Sequence, residues 1–356
     1  MRDQGARAGD RARRGVGARP RVTSAISAEP RRVAVVIPTW NGGPRFVELL
    51  RRLAEQDVEG GLQLVVVDSG SRDGSAGAAR RAGAFVVEIP QSEFGHGRTR
   101  NRAIELTSAD VVCLLTQDAL PLGPDYVRTL VAAFDDPRVD GAYARQEPQP
   151  DCDPIIAERL KHWTATRPDP VDQSLAPGDP AAARAAWDAL SPHERLAACA
   201  FDNVASALRR TTWVRHPFPE ATFGEDVAWG KQVLLDGGTI RYEPRARVEH
   251  SHRVDLVREF KRLYCDHRNL ATLFELVNVP SWRKVWDGWH WQRRRYFELL
   301  DGAADLGTLR RIGWKLYAIP YSLAEPAAQF LGARSNWKTR ESGLWRWFDG
   351  KVRAKT

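Results

Sequence analysis

Val111-Val112-Cys113-Leu114-Leu115-Thr116-Gln117-Asp118-Ala119-Leu120-Pro121 begins with five residues, four of them aliphatic, and then stops at a carboxylate. A continuous apolar run of this length reads as a central strand buried on both faces. The chain turns at Pro121, with Gly123 and Pro124 close behind. Asp118 therefore stands at the carboxyl end of a buried strand, where open α/β sheets bind their ligands.

Upstream, the same rhythm repeats. Val33-Ala34-Val35-Val36-Ile37 is a buried strand that ends at Pro38-Thr39-Trp40-Asn41-Gly42-Gly43, and Phe46, Leu49, Leu50 and Leu53 follow at helical spacing. Leu62-Gln63-Leu64-Val65-Val66-Val67 is a second strand, closed by the polar turn Asp68-Ser69-Gly70-Ser71-Arg72-Asp73-Gly74-Ser75. An alanine-rich helix leads to a third strand over residues 84–89. A loop over residues 90–97 and a helix through Arg100, Asn101, Ala103, Ile104 and Leu106 return the chain to the Asp118 strand. Strands alternating with helices predict βαβ units and a mostly parallel sheet.

Downstream the rhythm changes. Residues 125–134 read as a helix and 139–145 as a further strand, while 151–194 read as a flexible excursion containing helices. Asp226 falls at the start of an amphipathic helix. Residues 240–242 and 246–249 read as short strands ending at His250-Ser251-His252, and beyond Val254 the pattern is helical. Three segments are expected: a disordered basic arm over 1–32, an α/β domain over 33–254, and a helical, Trp- and Arg-rich region over 255–356.

The 356 residues carry a net charge of +8, so an anionic partner is expected: a nucleotide, an acidic membrane surface or nucleic acid. Cys113, Cys152, Cys199 and Cys265 are scattered with no CxxC pair, which suggests neither a zinc knuckle nor a disulfide framework and fits a reducing cytoplasm. No apolar run is long enough to span a bilayer, and no secretory signal is read at the N-terminus. The turn after the first strand lacks GxGxxG, and the polar turn at Asp68 lacks GxxxxGK[ST]. These absences argue against a dinucleotide dehydrogenase and against a kinase or ATPase.

A parallel sheet brings the ends of the first, second and fourth strands, at Thr39, Asp68 and Asp118, to one edge. Such an edge can offer hydrogen bonds to a base, a polar loop to a ribose, and a carboxylate to a divalent cation that neutralises a diphosphate. Glu225 and Asp226 are adjacent carboxylates whose repulsion can raise one pKa toward a useful value, and they equally suit a helix N-terminus. His250 and His252, one residue apart at a strand end, fall on one face of an extended chain.

Val36-Ile37-Pro38-Thr39-Trp40-Asn41, the Asp68 to Ser75 turn and Phe223-Gly224-Glu225-Asp226 resemble, in order, the inverting family-2 glycosyltransferases. Phe94-Gly95-His96-Gly97-Arg98-Thr99-Arg100-Asn101 and Leu115-Thr116-Gln117-Asp118-Ala119 resemble the rhamnosyltransferase branch. The resemblance covers residues 33–253. It implies a GT-A fold, a nucleotide-diphosphate sugar donor such as dTDP-rhamnose, and a divalent metal, magnesium or manganese. It also implies a glycan or lipid-linked acceptor in cell-surface polysaccharide synthesis. Pro38, Thr39, Asp68, Asp73, His96, Arg100, Asn101 and Gln117 would serve the donor, with Arg100 at a phosphate and Asp68 at the base imide. Asp73-Gly74 reads as well as a simple turn, and His96 as a structural loop residue. Asp226 would be the general base, with Glu225 orienting it or binding the acceptor. The metal motif of the family is DxD, and its first position here is Thr116. Asp118 remains, and His250 or His252 would supply what is missing.

Two other readings stay open: a nucleotidyltransferase on a related sheet, for which Asn41-Gly42-Gly43-Pro44-Arg45 is a faint phosphate loop, and a basic nucleic-acid-binding protein, for which no recognition motif is present. Trp282, Trp286, Trp289 and Trp291 lie among arginines. They suit a helical core or homodimer interface, or peripheral docking at the cytoplasmic face of a membrane.

Overall fold

The alternation of buried strands and amphipathic helices folds as β1 (Val33–Thr39), α1 (Gly43–Ala54), β2 (Leu62–Asp68), α2 (Ser75–Arg81), β3 (Phe85–Glu88), α3 (His96–Glu105) and β4 (Val111–Leu115). The structure, a computed structural model, describes residues 31–161, 167–221, 223–253, 255–304 and 306–353. The expected arm over residues 1–32 lies outside them, apart from Arg31 and Arg32. In β1, Val33, Val35 and Ile37 enter one core layer while Ala34 and Val36 enter the other. Val111, Cys113 and Leu115 of β4 likewise face one layer, and Val112 and Leu114 the opposite one. Both strands are thus buried on two faces, as their unbroken apolar runs require.

The chain continues through β5 (Leu120–Pro121), α4 (Tyr126–Ala132), β6 (Val139–Glu147), α5 (Pro154–Lys161), β7 (Val171–Gln173), α6 (Pro180–Ala189) and α7 (Pro192–Ala198). Then come β8 (Ala205–Arg209), α8 (Arg210–Arg215), α9 (Glu225–Leu235) and β9 (Thr239–Glu249). Strand order is β3-β2-β1-β4-β8-β6-β9-β5, with β7 added against β9. The first four strands are mutually parallel. Beyond β4 the sheet is mixed: β8 runs antiparallel to both β4 and β6, while β6 and β9 are parallel. The parallel expectation therefore holds for the βαβ half only. The two short strands expected over 240–249 are one strand, β9, whose pairing with β6 shifts register between Ala144 and Arg145.

The described residues of 151–194 are more regular than their Pro and Asp content implies. Pro180 and Pro192 begin helices, where a missing N–H costs nothing. Asp179 caps α6, and Ser191 with Glu194 forms a capping box on α7. The final helices are α10 (Leu256–Phe274), α11 (Trp282–Gly302), α12 (Thr308–Glu341) and α13 (Gly343–Arg353). Leu270 and Phe274 of α10 pack into the same core layer as Trp229 and Ile240. The change near Val254 is thus a change of secondary structure inside one compact unit that begins at Arg31.

Candidate active site

Parallel pairing sets Thr39 beside Asp68 at the carboxyl ends of β1 and β2. The Asp68 carboxylate is 1% exposed. Its Oδ1 accepts from the Gly70 and Ser71 N–H groups at 3.0 and 2.8 Å, while the buried Oδ2 has no partner among the described residues. An unsatisfied buried carboxylate oxygen is costly unless a ligand donor meets it. Gln117 joins the ends of β1 and β4: its Oε1 accepts from Thr39 Oγ1 at 2.7 Å and from the Trp40 N–H at 2.8 Å. Pro38, half-buried in β1, pairs with Val67. Asp73 is engaged within the protein. Its Oδ2 accepts from the Gly43 N–H and its Oδ1 from the Ser75 N–H and hydroxyl, bonds that hold its carboxyl below the usual range.

The Phe94 to Asn101 stretch builds the start of α3. Helix geometry begins at His96, so this histidine is not in a loop. Gly97 is required by close approach, since a Cβ there would lie 2.5 Å from the Pro219 carbonyl oxygen. One turn on, Arg100 points into the protein rather than at a helix-end phosphate. Its Nη1 donates to Glu225 Oε1 at 2.6 Å, and the two side chains are 4% and 6% exposed. Asn203 Nδ2 donates to the same Glu225 oxygen at 3.3 Å. Asn101, expected at the donor, has both amide atoms engaged: Nδ2 donates to the Phe218 carbonyl, and Oδ1 accepts from Trp213 Nε1 and the Phe218 N–H.

Glu225 and Asp226 open α9 and behave oppositely. Burial alone would raise the Glu225 carboxyl, but the Arg100 guanidinium and His96 hold it below the usual range. On Asp226 the same guanidinium has only a minor effect. Burial, the Glu225 charge and the Asp202 charge push its carboxyl well above the ordinary value. Its Oδ1 accepts from the Val227 N–H at 2.8 Å. Burial lowers the imidazole of His96, which meets Phe94 edge-on with ring centroids 5.0 Å apart.

Asp118, His250 and His252 come together although 132 to 134 positions separate them in the chain. Their ligand atoms all lie within 4.8 Å of one another. His250 Nε2 is 3.6 Å from Asp118 Oδ1, and His252 Nδ1 is 3.7 Å from Asp118 Oδ2. Antiparallel pairing of Leu120 with Glu249 makes this meeting. Arg45 reinforces it, its Nε donating to the Asp118 carbonyl at 2.8 Å and its Nη2 to the Glu249 carbonyl at 2.9 Å. Burial pushes the His250 imidazole down to about 4 and lowers that of His252, which favours the neutral ring that a metal ion requires. Against the opposing effect of burial, the two histidines hold the Asp118 carboxyl below its usual range. One carboxylate and two neutral imidazoles fit a divalent metal ion.

Sequence reading assigned neither Arg45 nor Gln146 to this site. Arg45 sits on the exposed start of α1 by pattern, and Gln146 lies just past the expected end of its strand at residue 145. Arg145-Gln146-Glu147 is a polar run with no alternation to mark it, although β6 extends through it.

Residues 34–180 match the sequence model of glycosyl transferase family 2. The match ends before Glu225, Asp226, His250 and His252. The O-antigen chain rhamnosyltransferase RfbN of Salmonella typhimurium is 28% identical over 237 residues, covering 65% of this chain and 70% of the relative. The O-antigen chain rhamnosyltransferase WbaN of Salmonella anatum is 27% identical over 236 residues, covering 65% and 69% respectively. Among solved structures, the mannosyltransferase PcManGT from Pyrobaculum calidifontis, in complex with GDP-Man and Mn2+, aligns over 91% of this chain and 84% of that one. Its identity is 20% and its TM-score 0.46.

Proposed function

We propose, from the premise that this chain is a family-2 glycosyltransferase, that it transfers L-rhamnose from dTDP-rhamnose to a glycan or lipid-linked glycan, with inversion at the anomeric carbon, in cell-surface polysaccharide synthesis. The rhamnosyltransferase relatives support the sugar. The observation that carries the reading is the assembly of Asp118, His250 and His252 at the sheet edge that also holds Asp68. The base of the donor would place its imide N–H on the free Oδ2 of Asp68. Asp118, His250 and His252 would hold a divalent ion, and two imidazoles favour manganese over magnesium. When bound, that ion supplies positive charge to the diphosphate leaving group.

Asp226 takes the proton of the acceptor hydroxyl. As the acceptor oxygen forms its bond to the anomeric carbon, the bond from that carbon to the diphosphate oxygen breaks in line, and its electron pair leaves with dTDP. A single displacement inverts the centre. Glu225, held ionised by Arg100, keeps a fixed negative charge beside Asp226 and so strengthens it as a base.

The test is a panel of nucleotide sugars with manganese, read as thermal stabilisation and as transfer. dTDP-rhamnose is expected to stabilise most. Asp118→Ala should keep the fold, because Asp118 stands in a turn, and should lose metal-enhanced binding of dTDP. Undiminished binding in that variant would count against the assignment.

A cytoplasmic membrane-face location belongs to the same reading. Among the described residues no helix is long and apolar enough to cross a membrane. Trp282, Trp286 and Trp291 of α11 are 62%, 57% and 60% exposed rather than in a core. On α12, Leu309, Ile312, Leu316, Ile319 and Leu323 recur every three or four residues and are also exposed. A bond from Trp289 Nε1 to the Ile319 carbonyl joins the two helices. Residues beyond 254 hold 19 of the 53 Lys and Arg but only 11 of the 45 Asp and Glu, which accounts for the whole net charge of +8. Exposed tryptophan and leucine flanked by excess cation suit an anionic bilayer, and a lipid-linked acceptor would lie there.

A further inference from the structure

We propose that Gln146 is a positioning residue for the metal centre, holding His250 in the tautomer that turns a bare nitrogen toward the ion. The inference rests on the metal reading above. Gln146 is the penultimate residue of β6, and both it and His250 are 6% exposed. Its Nε2 donates to Asp202 Oδ2. A carboxylate only accepts, so the amide must present nitrogen to Asp202, and its Oε1 then faces the histidine. That oxygen lies 2.8 Å from His250 Nδ1. An amide oxygen also only accepts, so Nδ1 carries the imidazole proton. Nε2 is left with its lone pair, and Nε2 is the atom 3.6 Å from Asp118 Oδ1.

Free imidazole side chains favour the other tautomer, with the proton on Nε2. In this site that form would direct an N–H at Asp118, close it with a hydrogen bond and block the ligand position. The chain from Asp202 through Gln146 to His250 reverses the preference, and each link needs only its donor or acceptor character. Among the described residues, His252 meets Asp118 and touches His250 edge-on with ring centroids 4.7 Å apart, and no amide oxygen faces its ring as Gln146 faces His250. His250 is thus the pre-set ligand of the pair.

The experiment compares wild type, Gln146→Met, Asp202→Asn and Asp118→Ala. Met fills the space of Gln146 and offers only a weakly accepting thioether to the ring N–H, whereas Asn at 202 still offers an oxygen to the amide. Manganese affinity is measured by electron paramagnetic resonance in the presence of dTDP, and folding by thermal denaturation in EDTA. Gln146→Met should weaken manganese about ten- to a hundred-fold, with Asp202→Asn near wild type. In metal-free wild type, 15N spectra of labelled histidine should give His250 the Nδ1–H signature, assigned by its loss in His250→Asn. An Nε2–H signature there overturns the proposal even if Gln146→Met does not fold. Unchanged manganese binding in Gln146→Met, with Asp118→Ala still abolishing it, overturns the positioning role alone. A wild type that takes no manganese overturns the metal reading and this inference with it.

Discussion

Asp226 and Glu225 are chain neighbours, yet one is held ionised by a buried guanidinium and the other is driven toward its neutral form. A base must be deprotonated to act, so the rate should rise with pH through a limb whose midpoint lies above the ordinary aspartate value of about 3.9. Asp226→Asn should lower kcat about a hundred- to ten-thousand-fold while leaving donor affinity intact, because the amide still accepts from the Val227 N–H. A drop of less than tenfold would remove Asp226 from the role of base. The same substitution should stabilise the fold. A carboxyl whose folded pKa is raised contributes stability below its unfolded pKa and loses it as pH rises through the folded one. The advantage of Asn should therefore widen as pH increases, as chemical denaturation across a pH series would record. Arg100→Met leaves Glu225 buried without its cation and should cost about 3–5 kcal/mol. Arg100→Met with Glu225→Gln should recover much of that loss, and a double-mutant cycle of unfolding free energies measures it.

At the level of elements, α9 matters through its first residues. Gly224 precedes them with φ at +73°, and a Cβ there would come within 2.3 Å of Asn269 Nδ2 on α10. The turn that aims Glu225 and Asp226 is thereby seated against the C-terminal helices. Gly224→Ala should destabilise by about 1–3 kcal/mol, since an L side chain in the left-handed region is strained whatever the neighbours do. It should also depress kcat more than donor affinity, because the turn carries the proposed base and not the proposed nucleotide site. Thermal denaturation and steady-state kinetics check the two parts, and an Ala variant with wild-type values in both would contradict the account. The pairing of β5 with β9 plays the matching part for the proposed metal ligands, bringing the Asp118 turn to the end of β9.

Across the whole molecule, the exposed apolar face of α11 and α12 is the feature that a chain alone in water explains least. Each basic residue near an anionic surface adds on the order of 1 kcal/mol, so a few suffice for reversible docking. Wild-type protein should co-sediment with phosphatidylglycerol vesicles at low salt and release as salt rises. Trp286→Ser with Leu316→Ser should lose vesicle binding and keep transfer to a water-soluble acceptor. A protein that ignores the vesicles and elutes as a dimer would assign this face to a second copy instead.

The unbroken runs of β1, β2 and β4, and the polar turns that close them, were legible before any coordinates because doubly buried strands leave a local signature. Thr39, Asp68 and Asp118 followed from it, since parallel strands must present their carboxyl ends together. The pairing of Asp118 with His250 and His252 was readable only as an option, for nothing local says that β9 returns beside the Asp118 turn. Arg100 looked like a phosphate ligand because sequence registers a cation near a helix start, whereas only packing reveals which way the helix faces. Asp73 and Asn101 carry the right atoms for a ligand, but their hydrogen bonds are made inside the protein, Asp73 with nearby Ser75 and distant Gly43 and Asn101 with Phe218 and Trp213. Gln146 had no signal of its own: an uncharged amide acquires meaning from the two groups it separates, and those groups, Asp202 and His250, meet it only after the mixed half of the sheet has closed.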